Sequence, residues 1–295
     1  MAGLIRRTVL GAGVLALGAG VYYGWRRGLG PRGDLADIAY GEDARQRLDI
    51  HLPDGEGPFP MLVDIHGGAF RGGDKADAPA PAAVLAAGIA VVRINHRLSG
   101  SNLWPAQADD CLAAVVFLQR AGGAYGLDPS RLALMGQSSG AFLAVSTALS
   151  LVEVGLPPRA VVSLYGPMDF STMDADMAAL ERVSQLGPTD AADSAESQLL
   201  GYAVGENRST ARAMGPIGRL DGFGDPLPPI FIRHGDADPM ISDRQANRLR
   251  EAWIKADPAA QVDYALVPGA GHGGAAFDSD EVIGPMVGFL QAALR

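Results

Sequence analysis

The sequence predicts an α/β fold, a mostly parallel central sheet flanked by helices. Two observations carry that expectation. From about Asp34 onward, apolar runs of strand length alternate with stretches of helical length, the rhythm of successive βαβ crossovers. The later runs are also nearly continuous in Val, Ile and Leu, as strands covered on both faces should be. Taken in order, Asp37–Tyr40 and Gln46–Leu52 are joined by Gly41–Arg45 and read as an antiparallel hairpin on the sheet edge. Further strands are expected at Met61–Ile65, Ile89–Asn95, Leu132–Met135, Ala160–Tyr165, Ile230–Arg233 and Val262–Val267. Helices are expected over Pro79–Ala87, Ala106–Gly122, Ala141–Leu151, Asp243–Lys255 and Asp280–Leu294.

One stretch breaks the rhythm. Residues 169–225 show no clear strand and are rich in Gly, Pro, Ser and Asp, with ten acids against four bases. An insertion of that length between two core strands exceeds an ordinary connection, so it is expected to be a cap or a functional loop region. Its acidity points to a neutral or cationic substrate rather than an anionic one.

The 295 residues carry 24 Lys and Arg against 33 Asp and Glu, a formal net charge of −9. An acidic chain without a basic stripe argues against a nucleic-acid binder. A single cysteine cannot form an intramolecular disulfide, which excludes a disulfide-stapled scaffold. With 48% hydrophobic and 19% charged residues, the composition is that of a globular protein.

The charge is unevenly spread. Residues 1–33 hold five arginines (6, 7, 26, 27 and 32) and no acid, so the remainder stands at −14. Between Arg7 and Arg26 runs an uncharged segment, residues 8–25, that as a helix would extend about 27 Å, close to a bilayer core. Tyr22, Tyr23 and Trp25 would serve as interfacial aromatics. Arg6-Arg7 ahead of this modest apolar stretch is similar to a twin-arginine export signal, without a clean Ala-x-Ala cleavage site. Residues 1–33 are therefore expected to be an export signal or membrane anchor, which places the protein in the cell envelope, and residues 34–295 the folded domain.

Gly136-Gln137-Ser138-Ser139-Gly140 follows one expected strand and precedes a helix, the context that a G-x-S-x-G nucleophile elbow requires. Ser138 is the candidate nucleophile. His66-Gly67-Gly68-Ala69-Phe70 follows Met61–Ile65, where a glycine-rich loop can turn backbone N–H groups toward a developing oxyanion. By position the candidate donors are Gly68, Ala69 and Ser139, with His66 bracing the loop. Of the five histidines, only His272 combines a loop after the last strand with the chain order Ser, acid, His. His51 and His96 read as structural, and His234 ends a strand. Asp236 and Asp238 both follow Ile230–Arg233, where the carboxylate that orients the imidazole belongs. Asp238 is the preferred candidate, Asp236 is a turn former bonded to its own loop, and Asp169 is a remoter alternative.

Together these motifs resemble the α/β-hydrolase superfamily, and more narrowly the carboxylesterases of the hormone-sensitive-lipase and bacterial feruloyl-esterase-like (BD-FAE) groups. The resemblance runs in order over residues 37–290. It includes Leu48-Asp49-Ile50-His51-Leu52-Pro53, Gly73-Asp74-Lys75, Asn95-His96-Arg97-Leu98, Trp104-Pro105-Ala106-Gln107 and His234-Gly235-Asp236-Ala237-Asp238-Pro239. It weakens across 169–225. It implies an α/β-hydrolase fold with a cap, Ser138, Asp238 and His272 as the triad, and Gly68, Ala69 and Ser139 as oxyanion donors. In that family the second Asp of the His-Gly-Asp-x-Asp string is the acid, which agrees with Asp238. Three departures stand out: Ala69 in place of a third glycine, Ala141-Phe142 where relatives often have Gly-His, and Asn95-His96 in place of Asn-Tyr.

The expected function is hydrolysis of a small-molecule carboxylic ester through an acyl-enzyme. An amidase or peptidase on the same fold and a catalytically silent anchored binding protein are the alternatives. No cofactor is implied, and no His/Cys cluster with metal-ligand spacing is present in the sequence.

Overall fold

Eight strands form one sheet in the order β1-β2-β4-β3-β5-β6-β7-β8. The computed structural model describes residues 34–295, so the expected export signal or anchor lies outside the described residues. Strands β1 (Leu35–Ala39) and β2 (Arg47–His51) make the antiparallel edge hairpin, and β2 also runs antiparallel to β4 (Ala90–Ile94). From there β3 (Phe59–Ile65), β5 (Leu127–Gln137), β6 (Ala160–Leu164), β7 (Ile230–Gly235) and β8 (Val262–Val267) are all parallel. Every residue of β4, β6 and β7 is buried, which explains why their sequences lack polar alternation.

Helix α1 (Ala82–Ala86) is shorter than expected. Pro79 and Pro81 lack the N–H groups that would extend it backward, and Gly88 at φ +78° turns the chain away. Helices α2 (Ala106–Ala121) and α3 (Ser139–Glu153) pack on each other, with Cys111 buried on α2. All of α3 except Ser150 and Glu153 is buried, so it is a central helix that is apolar all round. It also starts two residues earlier than the hydrophobic pattern indicates, immediately after Ser138.

Between β6 and β7 the chain forms four short helices: α4 (Met173–Ala178), α5 (Ala195–Leu200), α6 (Arg208–Met214) and α7 (Pro216–Leu220). Many acids of this region are consumed by ion pairs. Asp169 and Asp221 both bind Arg212, Asp190 binds Arg208, and Asp176 is gripped by Arg248 at 2.6 Å. Arg248 belongs to α8 (Arg244–Ala256), whose buried Gln245 accepts from the N–H groups of Met168 and Asp169 and donates to Thr172 and Asp176. One glutamine thus fastens the start of the insertion to the core. Helix α9 (Asp280–Ala293) closes the other face of the sheet.

No helix among the described residues is long and apolar enough to cross a membrane.

Candidate active site

The turn from β5 to α3 leaves no room for side chains on its flanks. A Cβ on Gly136 would lie 2.0 Å from the Gly140 carbonyl oxygen, and one on Gly140 would lie 2.1 Å from that of Ile65. Ser138 sits between them at φ +54° and ψ −127°, a region that costs a non-glycine residue on the order of 1–3 kcal/mol. Its N–H donates to the Leu164 carbonyl at 3.0 Å, which ties the strained turn to the neighbouring strand β6.

The loops after β7 and β8 meet above this turn. Ser138 Oγ lies 2.8 Å from His272 Nε2, and His272 Nδ1 lies 2.7 Å from Asp238 Oδ2. A carboxylate can only accept, so Nδ1 carries the proton and Nε2 is left to accept from the serine hydroxyl. Asp238 is fully buried, and its Oδ1 accepts from the N–H groups of Met240 and Ile241. Burial by itself would raise this carboxyl. Hydrogen bonds from His234 and His272 outweigh that effect and hold it well below the usual carboxylate range.

The loop after β3 approaches the serine from the other side. A Cβ on Gly67 would stand 3.2 Å from that of Ser138 and 2.9 Å from the Gln137 carbonyl oxygen. Gly68, Ala69 and Phe70 follow with φ of +117°, +52° and +60°. The Phe70 N–H donates to Ser139 Oγ at 3.3 Å, bridging the loop to the first residue of α3. The N–H groups of Gly68, Ala69 and Ser139 have no protein acceptor among the described residues, so they are free to serve an oxyanion.

A family model described as BD-FAE matches residues 48–253, more than two thirds of the chain. The chain belongs to the BD-FAE family. It is similar to Esterase LipQ of Mycobacterium tuberculosis, at 29% identity over 258 residues covering 82% of this chain and 57% of the relative. Esterase LipC of the same organism is 28% identical over 252 residues, covering 80% and 59%. The chain therefore spans less than two thirds of the length of these curated relatives. Among solved structures, a truncated carbohydrate esterase from gut microbiota superposes with a TM-score of 0.75 at 26% identity, covering 89% of this chain and 96% of that one. The architecture is the α/β-hydrolase fold.

Several of the strings that carry the resemblance of this BD-FAE chain lie beside the site rather than in it. His66 Nδ1 contacts the Gly67 carbonyl at 2.7 Å, Arg45 reaches its Nε2 at 3.3 Å, and its ring stacks on His96 with centroids 4.4 Å apart. Burial lowers His66 below the ordinary histidine value, consistent with a brace rather than a base. Asp74 receives Asn95 Nδ2 at 2.6 Å, and Lys75 spans Asp49 at 2.8 Å and Asp37 at 2.9 Å. His51 contacts Asp34 on the surface.

Two expectations are corrected. Asp236 does not bond its own loop: its Oδ1 accepts from the Gly269 N–H at 2.7 Å, linking the acid loop to the histidine loop. The remote alternative Asp169 is buried against Arg212, Ser171 and Gln245, with no bond to His272.

Three contributors escape a reading of sequence alone. His234 Nε2 lies 3.1 Å from Asp238 Oδ2, so this carboxylate oxygen is shared by two histidines. The Tyr165 ring packs edge-on against His272 at 4.9 Å, while its hydroxyl donates to Gln137 at 2.8 Å. Phe142, one of the departures, stacks on Phe170 at 4.7 Å and meets Phe70 and Trp104 edge-on, forming an aromatic cluster behind the glycine loop. The only advance signal for Tyr165 was its place at the carboxyl end of a parallel strand.

Proposed function

We propose that this chain is a serine esterase that hydrolyses small-molecule carboxylic esters through an acyl-enzyme. Ser138 Oγ attacks the acyl carbon while His272 Nε2 takes the serine proton. The oxyanion is met by N–H groups of Gly68, Ala69 and Ser139. His272 then gives its proton to the departing alcohol, and water repeats the sequence to release the acid. Asp238 keeps Nδ1 protonated throughout and offsets the charge of the imidazolium. The observation that carries this reading is the unbroken chain of 2.8 and 2.7 Å contacts from Ser138 through His272 to a buried carboxylate. The esterase names of the relatives point the same way.

Turnover of p-nitrophenyl acetate by the wild type and by Ser138→Ala tests it. The substitution should cost about a thousandfold or more in kcat. Equal rates in the two proteins would discard the serine mechanism.

A further inference from the structure

A small cleft of about 50 Å³ opens beside the glycine loop, lined by Ala69 and Arg71 and by Thr189, Ala195 and Glu196 of the insertion. Glu196 is 6% exposed, lines the cleft, and accepts from its own backbone N–H. A carboxylate with a single such bond keeps acceptor capacity for a donor that enters the cleft. The local fold accounts for how it is held. Ser194 caps α5, accepting from the Ser197 N–H at 3.0 Å and donating to the Thr189 carbonyl at 2.7 Å, which fixes Glu196 on the first turn of the helix facing the cleft. Arg71, which also lines the cleft, is held by the Asp193 carbonyl at 2.7 Å. Ala69 belongs both to this lining and to the loop whose N–H groups face the scissile bond, so the cleft adjoins the reaction centre.

We infer that this cleft is a specificity subsite for a free hydroxyl group on the substrate ester, with Glu196 accepting the hydroxyl proton and Arg71 donating to its oxygen. The inference rests on the serine-esterase reading and narrows its substrate class to hydroxylated esters. A hydroxyl both donates and accepts, as a cleft lined by a carboxylate and a guanidinium requires. An ammonium group could pair with Glu196 but has no acceptor to offer the guanidinium. Burial raises the Glu196 carboxyl above its usual range, against the pull of its own backbone N–H and of Arg71, so the group gains from any donor that reaches it.

The test is a ratio of kcat/KM within matched ester pairs. Propane-1,2-diol 1-acetate against propyl acetate places the hydroxyl on the alcohol side, and methyl glycolate against methyl acetate places it on the acyl side. Wild type should favour the hydroxylated member about tenfold or more in one pair, which also tells the side. Glu196→Leu should bring that ratio close to one. Glu196→Gln, which keeps an acceptor and the side-chain shape, should retain part of it. A wild-type ratio near one in both pairs, or a preference that survives in both variants, overturns the subsite. A wild type that cleaves none of these esters, nor p-nitrophenyl acetate, overturns the esterase reading instead.

Discussion

Asp238 shows how much one side chain can decide. Its Oδ1 is committed to two backbone N–H groups, so only Oδ2 is left to face His272 and His234. In Asp238→Asn the amide oxygen would keep the backbone bonds and turn the NH₂ toward His272 Nδ1. That donor forces the proton onto Nε2, and the imidazole can no longer accept from Ser138. Activity on p-nitrophenyl acetate should fall on the order of 10⁴-fold with the fold retained, and a loss below tenfold would contradict this role. Ala69 is the opposite case, a residue with an unfavourable backbone at φ +52°. Ala69→Gly should relieve about 1 kcal/mol of left-handed strain, read as a rise in Tm of about 2–4 °C. A fall in Tm would mean that contacts of the alanine methyl exceed its strain.

At the scale of elements, the glycine loop is held by what lies behind it. Phe70, itself at positive φ, is pinned by edge-on contact with Phe142 and Phe170, and Phe142 is buried in the first turns of α3. The helix that starts directly after Ser138 therefore also supports the loop across from it. Phe142→Ala should destabilise the domain by about 3–5 kcal/mol, the usual cost of emptying a buried aromatic site. On the proposed mechanism it should also lower kcat more than it raises KM, because a loosened loop would misplace N–H groups that matter most in the transition state. Urea denaturation together with steady-state kinetics reads both, and a stability loss with untouched kcat would separate the cluster from the loop. This coupling was not legible in the chain. Phe142 registers in sequence only as a departure from Gly-His, and its partners stand 72 and 28 residues away.

At the scale of the whole molecule, six consecutive strands of the sheet, β4-β3-β5-β6-β7-β8, run parallel. Their carboxyl ends share one edge, so the glycine loop, the elbow, Tyr165, the acid loop and the histidine loop all emerge there. Direct ties then set their spacing: the Ala237 N–H donates to the Ala270 carbonyl at 3.0 Å, and Arg182 of the insertion donates to the Asp236 carbonyl at 3.1 Å. Such a buried assembly responds to acid. Burial, reinforced by the neighbouring His66, pushes His96 down from 6.5 to about 3. The unfolded chain then takes up a proton below pH 6.5 that the folded chain refuses. The stability that His96 contributes is complete above that pH and is lost by about 1.4 kcal/mol per pH unit on the way toward 3. His96→Phe keeps the ring and removes the proton site, so its Tm should fall less steeply than that of the wild type between pH 6.5 and 4. Parallel Tm profiles would exclude His96 as a source of acid sensitivity.

The candidate machinery with a local signature was legible in sequence. Gly136-x-Ser138-x-Gly140 must be a tight strand-to-helix turn, His66-Gly67-Gly68 must be a loop with free N–H groups, and the order Ser138, Asp238, His272 follows from loops at successive strand ends. These features depend on sterics within a few residues, and the chain states them directly. The second histidine on Asp238, the tyrosine against His272, the Gln245 clasp and the open carboxylate of Glu196 depend on which segments meet. Only tertiary packing decides that, because a buried polar group carries no local mark of the partner that will satisfy it. The α/β class belongs to the first kind. The chemistry of the pocket that selects a substrate belongs to the second.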